Sequence, residues 1–166
     1  VPYLTNTSMM ALDTLPDHLI VAGGSYIGLE FAQMFRRFGS RVTVVEYADR
    51  LIAREDPEVS DTVREILEAE GIAINLAVRD IAVERRGRDV RMTAMVGGNS
   101  VTIDGSHLLV AAGRRPVTDD IGLDLAGVDR DERGFIKVDD ALATTAERTW
   151  AIGEVAGTPM FTHASF

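Results

Sequence analysis

The sequence predicts a three-layer α/β fold: a mainly parallel sheet, helices on one face and a three-stranded antiparallel β-meander on the other. Three observations lead there. His18–Ala22 is a short apolar run closed by Gly23-Gly24, the form of a strand buried on both faces. From Tyr26 the apolar period turns helical, and at Arg41–Glu46 (RVTVVE) it returns to a β-branched strand. Further along, Val78–Glu84, Asp89–Met95 and Ser100–Asp104 are short alternating runs separated by Gly87 and by Gly97-Gly98, the pattern of a meander.

In chain order, Val1–Pro16 has turn residues and no sustained period, and reads as an approach segment (residues 1–16) that Pro16-Asp17 closes. In the first helix Ile27, Phe31, Met34, Phe35 and Phe38 fall on one face, expected to be buried, with Arg36 and Arg37 turned away. Gly39 stops that helix. After the Glu46 strand, Tyr47–Glu55 is a loop carrying Asp49 and Arg50. Asp56 is expected to cap the next helix, with Pro57 at its first position and Val59, Val63, Ile66 and Leu67 as its buried face. Gly71 ends it, and Ile72–Leu76 is a third strand, parallel to the first two if the crossovers are right-handed. His107–Ala112 reads as another fully buried strand, closed by Gly113-Arg114-Arg115-Pro116. Beyond Pro116 the chain is acidic and turn-rich, with Phe135–Asp139 and Thr149–Ile152 as candidate strands. A boundary at Pro116 gives one domain over residues 17–116 and an incomplete segment over 117–166.

Composition narrows the function. The chain has 166 residues, 46% hydrophobic and 26% charged, a globular balance for one domain with part of another. A net charge of −9 argues against nucleic-acid or anionic-membrane partners, because phosphate binding needs a basic footprint. No apolar run approaches the ~18 residues of a membrane span and no signal peptide opens the chain, which reads as cytoplasmic. Cysteine is absent, which removes thiolate metal sites and cysteine nucleophiles from this stretch. His18, His107 and His163 have no metal-ligand spacing and read as non-catalytic; no metal is expected. The Val-Pro start and the unpunctuated end read as a piece of a longer protein.

The chemistry concentrates at Gly23-Gly24-Ser25-Tyr26-Ile27-Gly28. A glycine-rich turn between a buried strand and an amphipathic helix, with an acid on the next strand, is the Rossmann-like dinucleotide-binding plan. The first glycine allows the tight turn, the last lets helix and strand pack closely, and N–H groups at the helix N-terminus face a pyrophosphate. Ser25 stands where a middle glycine is usual and brings a hydroxyl that can donate to a phosphate oxygen. Glu46, eighteen positions after Gly28, is placed to accept from a ribose diol. Such a charged hydrogen bond contributes about 1.5–3 kcal/mol. A 2′-phosphate near the same carboxylate would be repelled by about 4 kcal/mol before solvent screening, so NAD(H) is favoured over NADP(H).

GGSYIGLEFAQMFRRFGSRVTVVE, VAAGRRP and TTAERTWAIGEVAGTP followed by FTHASF occur in this order. Together they resemble the class I pyridine nucleotide-disulfide oxidoreductases, which include dihydrolipoamide dehydrogenase, glutathione reductase and mercuric reductase. The resemblance implies a parent flavoenzyme in which NADH gives hydride to FAD, and FAD reduces a disulfide or another acceptor. It implies that this chain is the NAD(H)-binding domain and the return into an FAD domain. The redox-disulfide lobe and the interface domain would lie elsewhere in a homodimeric parent, so the piece alone would bind dinucleotide and catalyse nothing. It further implies that Gly23, Gly24, Ser25 and Gly28 form the pyrophosphate turn, with Ile27 also among the cofactor-binding residues, and that Tyr26 shields the flavin. Glu30 would contact the nicotinamide region, Gly113 would lie close to the nucleotide, and Arg114 would be structural. Glu154, standing where the family has aspartate, would bind FAD; Val117 stands where asparagine is usual.

Two other readings share these residues. In a single FAD-binding domain, Gly23–Gly28 and Glu46 would hold FAD instead. A non-enzymatic NADH-sensing module would share the fold and should carry an effector segment, such as a basic recognition helix. The segment after Pro116, built to complete another domain, is expected to expose apolar surface or self-associate.

Overall fold

The structure is a computed structural model and describes residues 1–157. The chain divides into two compact units, Val1–Gly113 and Arg114–Phe166.

The first unit holds every strand and every α-helix of the described residues. Strands β1 (His18–Ala22), β2 (Arg41–Val45), β3 (Ala73–Asn75) and β7 (His107–Val110) form a parallel sheet in the order β3-β2-β1-β7. Between β3 and β7 the chain makes β4 (Arg79–Arg86), β5 (Asp89–Val96) and β6 (Asn99–Gly105), an antiparallel meander. Helices α2 (Tyr26–Phe38) and α3 (Pro57–Ala69) cross from β1 to β2 and from β2 to β3. The period of two along the strands sorts the two faces. Leu19, Val21, Val42, Val44 and Leu109 point to Leu29, Ala32 and Phe35 of α2 and to Leu67 of α3. Ile20, Val45 and Leu108 point the other way, to Val90, Met92 and Ala94 of β5. The expected helix–sheet–meander sandwich is present.

Five details differ from expectation. The buried stripe of α2 is Gly28, Leu29, Ala32 and Phe35; Ile27, Phe31 and Met34 are half-buried and Phe38 is exposed. Small residues let the helix come close over β1, so the contact is centred on them rather than on the largest side chains. Arg36 is not turned away: its Nε donates to the Glu70 carbonyl at 2.8 Å, while Arg37 pairs with the Glu70 carboxylate at 2.6 Å. The inward stripe of helix α3 is Ser60, Val63 and Leu67, with Ser60 on the Leu51 carbonyl and the other two in the helix-side core, which leaves Val59 and Ile66 exposed. Asp56 occupies the N-cap position of α3 without a side-chain bond. The expected burial of the last strand also stops short: β7 ends at Val110, which is exposed, and Ala112 lies beyond the strand.

The approach segment is not bare. A one-turn helix, α1 (Asn6–Met9), is capped reciprocally by Thr5 and Ser8, and Met9 is buried in the helix-side core. Leu4 covers the outer edge of β7: its N–H donates to the Leu108 carbonyl at 2.7 Å and its carbonyl accepts from Val110 N–H at 2.9 Å. No described helix is long and apolar enough to cross a membrane.

In the second unit neither Phe135–Asp139 nor Thr149–Ile152 forms a strand; among its described residues there are only isolated bridges, Arg130↔Ile136, Val138↔Thr144 and Ala143↔Trp150. Two aspartates supply the reason. Asp131 Oδ1 accepts from the N–H groups of Arg133 and Phe135, and Asp139 Oδ1 accepts from those of Ala141 and Ala143. Each side chain takes backbone donors that a ladder would need, so the chain reverses instead of extending. A small core of Val128, Ile136 and Ala151 holds this unit together, and Gly153–Ala156 is a 3-10 turn.

Candidate functional site

The glycine turn sits where β1 runs into α2, at the carboxyl end of the parallel strands. Gly23 N–H donates to the Val45 carbonyl at 2.9 Å, which carries the β1–β2 pairing one residue past the strand. Three glycines are required by what surrounds them. Gly23 has φ +123° and a Cβ there would lie 2.5 Å from the Ala111 carbonyl oxygen. A Cβ on Gly24 would lie 2.7 Å from Leu51 Cδ2 and 3.0 Å from Glu46 Cβ. On Gly28 it would lie 2.1 Å from the Gly23 carbonyl oxygen, a backbone atom that cannot rotate away.

Ser25 is the N-cap of α2. Its backbone is extended and its carbonyl accepts from Leu29 N–H at 3.0 Å, but its exposed hydroxyl makes no capping bond. A serine at this position usually spends its oxygen on a first-turn N–H. Here the helix N-terminus is presented without that cap.

Glu46 follows β2 directly. Its Oε2 accepts from Gly24 N–H and its Oε1 accepts from Ala48 N–H at 2.7 Å. Its own N–H donates to the Asn75 carbonyl at 2.9 Å. A carboxylate has about four acceptor positions. The two backbone bonds therefore fix its orientation and leave capacity for two hydroxyl donors, which matches a vicinal diol.

The loop after Glu46 folds back onto the turn, which sequence patterning missed. Ile52 N–H donates to the Gly24 carbonyl at 2.9 Å, Leu51 is buried against Gly24, and the Ser60 hydroxyl donates to the Leu51 carbonyl. The apolar pair Leu51-Ile52 inside a polar loop was the available signal. The Tyr26 phenol donates to the Glu55 carboxylate, and that bond, ahead of partial burial, raises the phenol above its ordinary range.

The remaining predicted residues are dispersed. Ile27 is half-buried in the first turn of α2, and Glu30 is exposed one turn further on. Gly113 follows β7 with φ +150° and open space at its α-carbon. Glu154 belongs to the second unit, where Arg114 Nη1 approaches its carboxylate at 3.4 Å. Of the histidines, His18 is buried at the opposite end of the sheet and His107 bonds Ser106 Oγ at 3.0 Å. His163 and the FTHASF run lie outside the described residues.

Residues 1–166 match a family model described as pyridine nucleotide-disulphide oxidoreductase. The mercuric reductase of Streptomyces lividans is 42% identical over 165 residues, covering 99% of this chain and 35% of its own length. The dihydrolipoyl dehydrogenase of Thermus scotoductus is 39% identical over 151 residues, covering 90% of this chain and 33% of its own. Among solved structures, the HOCl-induced flavoprotein disulfide reductase RclA of Escherichia coli superposes with a TM-score of 0.85 at 35% identity, over 98% of this chain and 37% of that one. The chain thus spans about a third of the length of the relatives it matches.

Proposed function

The chain belongs to the pyridine nucleotide-disulphide oxidoreductase family, and from that premise we propose that residues 17–116 are the NAD(H)-binding domain of a flavin-dependent oxidoreductase. The parent enzyme, a homodimer, takes hydride from NADH onto FAD and passes the electrons to a disulfide or another acceptor. Residues 117–166 return to the FAD domain, where Glu154 is the ligand of the flavin side chain. Without the rest of the parent, the chain binds dinucleotide and does not turn over.

The observation that carries this reading is the Glu46 carboxylate, oriented by Gly24 N–H and Ala48 N–H beside an uncapped helix N-terminus. The residues fit a dinucleotide. The Gly23–Gly28 backbone and the α2 N-terminus take the pyrophosphate, with the Ser25 hydroxyl as an added donor. Glu46 takes the ribose diol and disfavours a 2′-phosphate by like charge. As the family resemblance implies, Tyr26 and Glu30 would face the flavin and nicotinamide end, and Gly113 would lie close to the nucleotide. When bound, NADH supplies the hydride; this chain's part is to hold and orient it.

Calorimetric titration tests the assignment. The wild-type chain is expected to bind NADH and to bind NADPH poorly, and Glu46→Ala should weaken NADH at least ten-fold, the loss of one charged hydrogen bond of about 1.5 kcal/mol. Binding of FAD in place of NADH would move the glycine turn to the flavin and overturn the reading.

A further inference from the structure

Beside Glu46 the structure holds an aromatic–cation stack that none of the roles above uses. Tyr47 is 68% exposed, and the Arg79 guanidinium carbon lies 3.7 Å from its ring centroid. Arg79 is fixed there, because its Nη1 donates to the Tyr47 carbonyl and, at 2.8 Å, to the Val78 carbonyl.

The two segments are also tied along their backbones. Val78 N–H donates to the Glu46 carbonyl at 3.0 Å and Ala77 N–H to the Ala48 carbonyl at 2.7 Å. Arg79 is bracketed by two non-glycine residues with positive φ, Ala77 at 52° and Asp80 at 51°. The pairing of β4 with β5 shifts register directly after Arg79. Left-handed backbone at an alanine is costly and persists where the surroundings impose it, and bulges re-aim side chains. Both devices hold the guanidinium over one face of an otherwise solvent-exposed tyrosine. The remaining face of the ring is open, and the carboxylate of the preceding residue is folded back over residues 46–48 by its bond to Ala48 N–H.

We propose that the open face of Tyr47, backed by Arg79, is the stacking platform for the adenine base of the bound dinucleotide. This rests on the NAD(H) reading of Glu46 and extends it. A ribose diol held by Glu46 carries its base outward past the end of β2, and Tyr47 is the aromatic surface there. Stacking reads the π-face of a purine without hydrogen bonds, and a cation behind the tyrosine stiffens the ring and keeps its position.

The probe is ADP-ribose, which carries adenine, both riboses and the pyrophosphate but no nicotinamide. Against the wild-type chain, Tyr47→Leu keeps apolar bulk but removes the π-face, and is expected to weaken ADP-ribose about five-fold or more. Tyr47→Phe should bind as wild type, and Arg79→Gln should lose about two- to five-fold. In NMR spectra the adenine H2 and H8 resonances should move upfield on the wild type and on Tyr47→Phe but not on Tyr47→Leu. If the wild type binds ADP-ribose and Tyr47→Leu binds it equally well with the same adenine shifts, the platform is refuted while the NAD(H) reading stands. If the wild type binds neither ADP-ribose nor NADH, the NAD(H) reading itself falls and takes the platform with it.

Discussion

The two ends of the parallel sheet treat polar groups in opposite ways. At the amino end, every polar group drawn into the core is tied to the protein itself. His18 bonds the Asp104 carbonyl through Nδ1 at 2.6 Å and the Thr43 hydroxyl through Nε2 at 2.8 Å. A carbonyl only accepts, so Nδ1 carries the proton of the neutral ring, and Thr43 donates to Nε2. Ser40 Oγ closes on the Pro16 carbonyl at 2.6 Å. At the carboxyl end, capacity is left over: an unengaged Ser25 hydroxyl, a Glu46 carboxylate with two backbone bonds, and the open face of Tyr47. Polar groups satisfied internally hold strands together. Polar groups oriented but unfinished are what a ligand completes.

The contrast can be broken most violently at Gly28. Gly28→Ala sets a Cβ 2.1 Å from a carbonyl oxygen that belongs to the turn itself. Overpacking against backbone should cost about 3 kcal/mol or more and abolish NADH binding together. Urea unfolding followed by titration checks both, and a variant with wild-type stability would refute the close-packed turn.

A smaller effect is expected at the other end, and of a different kind. His18→Leu leaves the Asp104 carbonyl and Thr43 hydroxyl without their partner and should cost about 1–3 kcal/mol, with NADH affinity kept. The same residue gives the wild type a pH signature. Burial, ahead of the Asp104 bond that opposes it and the neighbouring Arg41 that adds to it, pushes His18 below its ordinary value of 6.5. The folded state then holds this proton less tightly than the unfolded state. The stabilisation is full above about pH 6.5 and is lost as the pH falls through the lower folded value. Denaturation midpoints across pH 5–8 should show that decline in the wild type, and His18→Leu should remove its share of it.

Much of this was legible in the sequence because it is written in local rules. Period two at His18–Ala22 and Arg41–Val45, the switch to a helical period at Tyr26, and glycines at each turn specify the strands and helices directly. What was not legible depends on what stands opposite. A helical period tells which side chains share a face, and not how wide a stripe the neighbour covers, so Phe38, Val59 and Ile66 proved exposed. Phe135–Asp139 has strand composition, but Asp131 and Asp139 bind backbone donors at both its ends. At the site, Gly23–Gly28 and Glu46 were readable from spacing. The return of Leu51, Ile52 and Glu55 onto the turn was not, since those contacts join residues 27–29 positions apart through a loop without period.

The most direct measurement is amide hydrogen exchange on the wild-type chain with and without saturating NADH. Protection is predicted to rise at the amides of residues 24–29 and 46–53, with no change around His18, Thr43 and Asp104. A gain confined to residues 114–157, or no gain at the glycine turn, would contradict the assignment of that turn to the dinucleotide.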